Sequence, residues 1–410
     1  MGLNETPLAN RVHIGFFGRR NAGKSSLLNA LTGQEIAIVS ETRGTTTDPV
    51  YKAMELLPLG PVVIIDTPGI DDTGALGEQR VRRAKQVLNK TDAAILVVDG
   101  ETGRGPAEEE LIRLFRAKEI PFIAAYNKSD LAPAAKAAAA SEDPGENAIA
   151  VSAKTGEGIE ALKERIALLA RTEEPKLRIA ADLIRGGDFV VLVTPIDKAA
   201  PKGRLILPQQ QTIRDVLEAD AAAVVVKEFE LRETLEHLGK KPALVITDSQ
   251  VFAKVSADTP PDIPLTSFSI LFARYKGFLT QAVRGVAALD HLEDGGRLLI
   301  SEGCTHHRQC DDIGRVKLPR WIKQYTAKQL EFAFTSGGEF PEDLSPYRLV
   351  VHCGACMLNE REMKYRQGCA ADQGIPMTNY GILIAHIQGI LKRSIAMFPH
   401  LLTEIEGAGG

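Results

Sequence analysis

The stretch VHIGFFGRRNAGKSSLLNALTG, Val12 to Gly33, decides the fold. It reads as a buried strand, a glycine-rich loop over Gly18-Arg19-Arg20-Asn21-Ala22-Gly23-Lys24-Ser25, and a helix, in that order. The backbone N–H groups of such a loop and the helix N-terminus cradle phosphates. Gly18 and Gly23 belong to that cradle, Lys24 reaches the β and γ oxygens, and the Ser25 hydroxyl, with Ser26 next to it, binds Mg²⁺.

Three elements further along complete the pattern. Gly44-Thr45-Thr46-Thr47-Asp48 falls between the first helix and the next strand, where a hydroxyl of Thr45 or Thr46 completes the Mg²⁺ shell opposite Ser25. Asp66-Thr67-Pro68-Gly69 follows the strand VVIID, which places Asp66 on Mg²⁺ through water and the Gly69 N–H near the γ-phosphate. Lys24, Thr46, Asp66 and Gly69 are therefore the residues expected to act on the transferring phosphoryl group. Asn127-Lys128-Ser129-Asp130 follows PFIAAY, and Ser152-Ala153-Lys154 follows NAIAV. Asp130 can accept from the N1–H and exocyclic amine of guanine. Adenine lacks that pair of donors, so a carboxylate would be left unpaired and the nucleotide is GTP or GDP.

GRRNAGKSS, GTTTD, DTPG, NKSD and SAK resemble the translation-factor-related GTPases, within them the Era-like and tRNA-modification (MnmE/TrmE-like) group, over about the first 170 residues. In that group an asparagine at the position of Asn21 helps bind K⁺ beside the phosphates. Asn21 is thus a candidate K⁺ ligand, with a loop-stabilising role as the alternative. Ile70 stands where Ras-like enzymes carry a water-positioning glutamine, which implies slow intrinsic hydrolysis that leans on a monovalent cation or a partner.

At 410 residues the chain is too long for one core. The expected class is α/β in three domains: a Ras-like P-loop GTPase domain over 1–172, a small α/β domain over 173–262, and an α/β domain with a parallel sheet over 263–410. TEEPK closes the first, and Pro260, Pro261 and Pro264 mark the second boundary. In the middle, DFVVLVTPID, AAAVVVKE and PALVITD alternate with helix-like stretches and carry no cysteine or glycine-rich loop. Such valine-rich strands must be buried on both faces or paired across a subunit interface. Net charge is −4, with 49 Lys plus Arg against 53 Asp plus Glu, so no global basic field draws the chain to nucleic acid or an anionic membrane. No apolar run approaches the roughly 20 residues needed to span a bilayer, and the N-terminus has no signal-peptide pattern. The expectation is a cytoplasmic protein.

Five cysteines are too few for a disulfide framework. Three of them fall with histidines in two clusters, Cys304-Thr305-His306 after RLLISEG and His352-Cys353-Gly354-Ala355-Cys356 after RLVV. In a parallel sheet, ligands sit beyond the carboxyl ends of strands, so two strand ends can present both clusters to one crevice. Four thiolates, or two with two histidines, suit Zn²⁺; three with an open position suit a [4Fe–4S] cluster. Asp311 offers an exchangeable carboxylate in the first cluster's loop, Cys310 a further thiolate, and Cys369 reads as a buried small hydrophobe.

Cys-x-His, then 45 residues, then His-Cys-x-x-Cys is not a zinc-finger spacing. It resembles the signature of the [FeFe]-hydrogenase maturation GTPases, the HydF family, and order of domains and length agree over essentially the whole chain. The resemblance implies a scaffold. Cys304, Cys353 and Cys356 would bind a [4Fe–4S] cluster, and a di-iron precursor would be built with the products of the radical-SAM maturases HydE and HydG. That precursor would then pass to apo-[FeFe]-hydrogenase. It also implies that 173–262 is an α/β dimerisation domain, through which the chain forms a homodimer, and that 263–410 is an α/β iron–sulfur cluster-binding domain. His306, His352 and Asp311 are left as fourth ligands or as neighbours that tune the site. The competing readings are an RNA-associated Era/TrmE-like GTPase with a structural zinc, and a redox sensor using Cys353 and Cys356. The acidic overall charge and the ending LLTEIEGAGG argue against the first, and the second gives Cys304 and His306 no task.

Overall fold

The computed structural model describes residues 6–33, 49–69, 86–132, 147–170, 178–195, 205–303 and 312–407. Two compact units divide at Glu174 and Pro175. Among the described residues no helix is long and apolar enough to cross a membrane.

The first unit contains β1 (Val12–Phe17), α1 (Lys24–Thr32), β2 (Val50–Leu56), β3 (Gly60–Asp66), β4 (Ala93–Asp99), α2 (Pro106–Ala117), β5 (Phe122–Asn127), β6 (Asn147–Ala150) and α3 (Ile159–Leu169). They form a six-stranded sheet in the order β2-β3-β1-β4-β5-β6, with only β2 antiparallel to its neighbour. Alternate residues of β1 and β4 enter two cores on opposite faces: Ile14, Phe16, Ile95 and Val97 on one, Phe17, Ala94, Leu96 and Val98 on the other. Burial on both faces is why these strands read as continuous apolar runs.

The second unit contains β7 (Phe189–Val193), α4 (Leu207–Glu218), β8 (Ala222–Val226), α5 (Leu231–His237), β9 (Leu244–Thr247), α6 (Phe252–Asp258), β10 (Leu265–Ser267), α7 (Phe268–Tyr275) and α8 (Leu279–Gly285). It continues through β11 (Arg297–Glu302), a π-helical turn (Ile313–Lys317), α9 (Leu318–Thr326), β12 (Glu331–Ser336), β13 (Leu349–His352), α10 (Glu360–Asp372), β14 (Met377–Asn379), α11 (Tyr380–Ile387), α12 (Leu391–Ser394) and α13 (Pro399–Gly407). There are two parallel four-stranded sheets, β10-β9-β7-β8 and β14-β13-β11-β12. β10, just past Pro264, joins the middle sheet, although the prolines of the sequence place the domain boundary at 262/263. The prolines there mark a turn into the sheet's last strand. The apolar stretch from Ser269 to Leu292 is not one helix: Gly277 at φ 71° ends α7.

Counted from its own first strand, each of these sheets runs in the order fourth, third, first, second. The agreement extends to single hydrogen bonds. Gly187 and Gly295 both precede the first strand with positive φ, 80° and 79°. The Asp248 N–H donates to the Val193 carbonyl as the Cys353 N–H does to that of Ser301 (3.3 and 3.0 Å). IPLTSFSILFARYKGF (263–278) and IPMTNYGILIAHIQGI (375–390) share seven of sixteen residues. The two sheets are copies of one module. In both, the residue closing the fourth strand caps the following helix: Ser267 Oγ accepts from the Ile270 N–H at 3.3 Å, Asn379 Oδ1 from the Ile382 N–H at 2.8 Å. Either residue replaced by alanine is expected to cost about 1 kcal/mol. Asn379 should cost more, because its Nδ2 also donates to the Ser269 carbonyl at 2.9 Å. Equilibrium denaturation of the two variants checks the order.

Candidate functional site

In the first unit the loop between β1 and α1 is held open by backbone that only particular residues tolerate. Gly18 lies so close to Val97 that a Cβ would stand 2.3 Å from its carbonyl oxygen, and at Gly23, φ 86°, it would meet Asn127 Nδ2 at 2.2 Å. Asn127 Nδ2 donates to the Ala22 carbonyl at 3.2 Å, and its Oδ1 accepts from the Ala153 N–H at 3.1 Å. One side chain thus ties the NKSD and SAK loops to the phosphate loop. Ser152 Oγ donates to Asp130 Oδ1 at 2.7 Å, orienting the carboxylate expected to read guanine. Asn21 has a positive φ of 62° and, with Ser26 and Lys154, is exposed. Lys128 pairs with Asp99 at 2.6 Å; burial works against ionisation of Asp99, but the Lys128 ammonium together with the Glu101 and Thr102 N–H groups outweighs it and holds the carboxyl below its usual range.

Lys24 is buried and donates to the Gly18 and Arg19 carbonyls at 2.9 and 2.7 Å. A Cβ on Gly69 would stand 2.8 Å from the Arg20 nitrogen, so the DTPG stretch abuts the phosphate loop. Ser25 Oγ donates to Asp66 Oδ2 at 3.3 Å, while Asp66 Oδ1 is buried with no hydrogen-bond partner among the described residues. Burial pushes the Asp66 carboxyl above its usual range against the opposing pull of Lys24 and Ser25. An orphaned carboxylate oxygen beside a hydroxyl fits a divalent cation. Thr45 and Thr46 lie outside the described residues.

In the second unit the two strands that lead into the cysteine clusters end at the carboxyl edge of the third sheet. β11 and β13 are parallel neighbours whose last rung pairs Ser301 with His352. The chain leaves β11 at Glu302 and Gly303, just before Cys304, and leaves β13 at Cys353. Cys353 Sγ accepts the Gly303 N–H at 3.1 Å and the Ala355 N–H at 3.4 Å, the latter from a residue with φ 54°. Two N–H donors on one sulfur favour charge on it, as a thiolate ligand requires. Burial, with Cys353 adding and Lys276 opposing, pushes the Cys356 thiol up to about 12, so a metal taken up there must displace the proton. Cys369 lies partly buried on α10 against the core. Cys304, His306, Cys310 and Asp311 lie outside the described residues. Among the described residues no three His, Cys, Asp or Glu side chains group as metal ligands.

His352 is fully buried, and both its ring nitrogens are engaged. Nδ1 lies 2.9 Å from the Cys353 carbonyl oxygen and Nε2 3.0 Å from a terminal nitrogen of Arg366. Of the two roles open to it, fourth ligand or tuning neighbour, this geometry is that of the neighbour. Arg366 is fully buried on α10 and paired with buried Glu362 at 2.8 Å. Sequence reading passed over both. In NEREMKYRQ a glutamate and an arginine four apart look like a surface pair, and the signal was that Met363 and Ala370 put the same helix face in the core.

Residues 13–128 match the 50S ribosome-binding GTPase family, 179–277 the hydrogen maturase F dimerization domain and 280–397 the hydrogen maturase F tetramerization domain. The tRNA modification GTPase MnmE of Nitrosomonas eutropha is 37% identical over 157 residues, 38% of this chain and 34% of that protein. That of Dichelobacter nodosus is 37% identical over 169 residues, 40% and 36% of the two. The chain spans about a third of the length of these relatives. Era of Aquifex aeolicus bound to GDP and AlF4⁻ is 21% identical, with a TM-score of 0.35, over 55% of this chain and 98% of that one.

Proposed function

The chain belongs to the hydrogen maturase F family, and from that premise we propose that it is a GTP-hydrolysing scaffold for the [FeFe]-hydrogenase active site. In this reading it holds a di-iron precursor beside a [4Fe–4S] cluster and hands the precursor to apo-hydrogenase. The observation that carries the reading is the rung joining Ser301 to His352, with the Gly303 N–H on the sulfur of Cys353. It supports the reading because the strands that lead into the two clusters end side by side at one sheet edge, although 48 residues of sequence separate Cys304 from Cys353.

Cys304, Cys353 and Cys356 would hold the cluster, leaving one iron to His306, Asp311 or the precursor itself. Such a cluster supplies an exchangeable coordination position. GTP and Mg²⁺ would lie on Gly18, Gly23, Lys24, Ser25, Ser26, Asp66 and Gly69 with Thr45 and Thr46. K⁺ would lie at Asn21, and guanine on Asn127, Lys128, Asp130, Ser152, Ala153 and Lys154. The nucleotide acts by changing affinity for partners, among them the radical-SAM maturases HydE and HydG, through two conformations of unequal affinity. Of the domains 1–172, 173–262 and 263–410, the middle one, with β10 and α7 drawn to it, would make the dimer contact in the cytoplasm. Its edge strand β8 exposes Val225 (42%), and Phe229 beyond it is 78% exposed.

Anaerobic reconstitution of the full chain with iron and sulfide tests this. A reduced [4Fe–4S] signal in wild type and Cys310→Ala, together with activation of apo-hydrogenase by the loaded protein, is the expected result. Stoichiometric zinc with no cluster would instead make this a GTPase with a structural metal.

A further inference from the structure

The guanidinium of Arg366 uses all five of its N–H groups inside the fold. Nε donates to Glu362 Oε1 at 2.9 Å, one terminal nitrogen to Ser301 Oγ (3.2 Å) and His352 Nε2 (3.0 Å), and the other to Glu362 Oε1 (2.8 Å) and the Gly337 carbonyl (2.7 Å). Phe340 lies 5.1 Å from its centre. A guanidinium has no acceptor and keeps its protons, so His352 Nε2 must accept. The ring proton then sits on Nδ1, where it meets the Cys353 carbonyl, which only accepts. The tautomer is forced from both sides.

The duplicated module supplies an internal control. Where the cluster module has Ser301, His352 and Cys353, the same rung of the first module has Val193, Thr247 and Asp248. There Thr247 Oγ1 lies 3.3 Å from the Asp248 carbonyl and donates to it. A hydroxyl therefore meets the need of the backbone at that corner, and the module folds around that rung with an aliphatic residue and a threonine. A buried ion pair costs desolvation and is weak support for stability. The fold does not call for Glu362, Arg366 and His352, and they stand only where the cysteines are.

We propose that Arg366, set by Glu362, is a positioning residue for the cluster site: it locks His352 with its proton on Nδ1, which fixes the carbonyl of Cys353 and turns the ring's lone pair away from iron. The fourth iron position is then filled from the other strand's loop or by the cargo. The inference rests on the reading of Cys353 and Cys356 as cluster ligands, but its first readout needs no cluster.

That readout is ¹⁵N NMR of histidine-labelled full-length protein, with His352 assigned by His352→Gln. The expected spectrum has Nδ1 protonated and Nε2 bare in the wild type; the reverse tautomer, or rapid exchange between the two, overturns the proposal. The second readout is pulsed EPR of the reconstituted, reduced protein. No ¹⁵N coupling that His352→Gln removes is expected, and a strong one would place the ring on iron and overturn it. In Arg366→Met the cluster should bind about 10- to 100-fold more weakly, with shifted g-values. Arg366→Lys should restore it only in part, since one ammonium cannot span Ser301, Gly337, Glu362 and His352. A folded Arg366→Met with unchanged tautomer and cluster signal sinks the idea. If that variant does not fold, the wild-type tautomer and Glu362→Gln, which keeps the side chain's shape, decide the matter. A wild type that takes up no cluster but shows the Nδ1 tautomer defeats the scaffold reading and leaves the forced ring in place.

Discussion

Replacing Asp66 by asparagine is expected to lower GTP hydrolysis roughly 10²- to 10³-fold and, in the same protein, to raise the melting temperature of the nucleotide-free form. The two effects have one origin. In the proposed reading Asp66 is a carboxylate kept out of water for a cation: Oδ1 has no partner among the described residues, and burial lifts the carboxyl above its ordinary range despite Lys24 and Ser25. A carboxyl whose folded value lies above its unfolded 3.8 contributes stability that is complete below the unfolded value and is lost as pH rises through the folded one. At neutral pH the ionised group is therefore a cost that Mg²⁺ relieves. Asparagine carries no charge, so its advantage over wild type should be small at the acid end and grow toward neutrality. Mg²⁺ with GDP should stabilise wild type more than the variant. Phosphate release and thermal melts from acid to neutral pH measure both. A gain that does not vary with pH, or a loss, would mean that Asp66 is not a strained metal ligand.

The nucleotide site was legible because its chemistry demands fixed residue types at short spacing on consecutive turns. The phosphate loop, Asp66 and Asn127 can be read without knowing what packs behind them, and the fold then ties the NKSD, SAK and phosphate loops together through Asn127. The strands that lead into the two cysteine clusters were legible for another reason, since apolar runs of a parallel sheet end at one shared edge. What did not show was the duplication, and with it the strand at 265–267. Outside one stretch of sixteen residues the two modules share positions in a sheet rather than identities, and a position in a sheet exists only after pairing. Arg366 was illegible for a related reason. On its own helix it is one half of an i,i+4 pair, and only the sheet edge it meets turns that pair inward to Ser301 and His352.

Substituting Cys353 by serine should leave the fold and remove the cluster, and this separates a ligand from a structural thiol more sharply than alanine would. The sulfur accepts two backbone N–H groups, from Gly303 at the end of β11 and from Ala355 within the loop. A serine hydroxyl can accept both, so the loop keeps its donors paired and the metal-free melting temperature should move by no more than about 4 °C. Alanine would orphan both N–H groups and confuse the two causes. Hard oxygen is a poor substitute for thiolate on iron, so iron and sulfide per chain should fall to background in Cys353→Ser and likewise in Cys356→Ser. Cys369→Ser, on α10 and outside the strand-end loops, should keep its iron. If Cys353→Ser retains a full cluster, the ligands lie elsewhere and the paired donors serve only the loop. If iron is lost together with the fold, the thiol is structural. Only iron lost from a folded protein supports the scaffold, because a carrier must keep its shape whether loaded or empty.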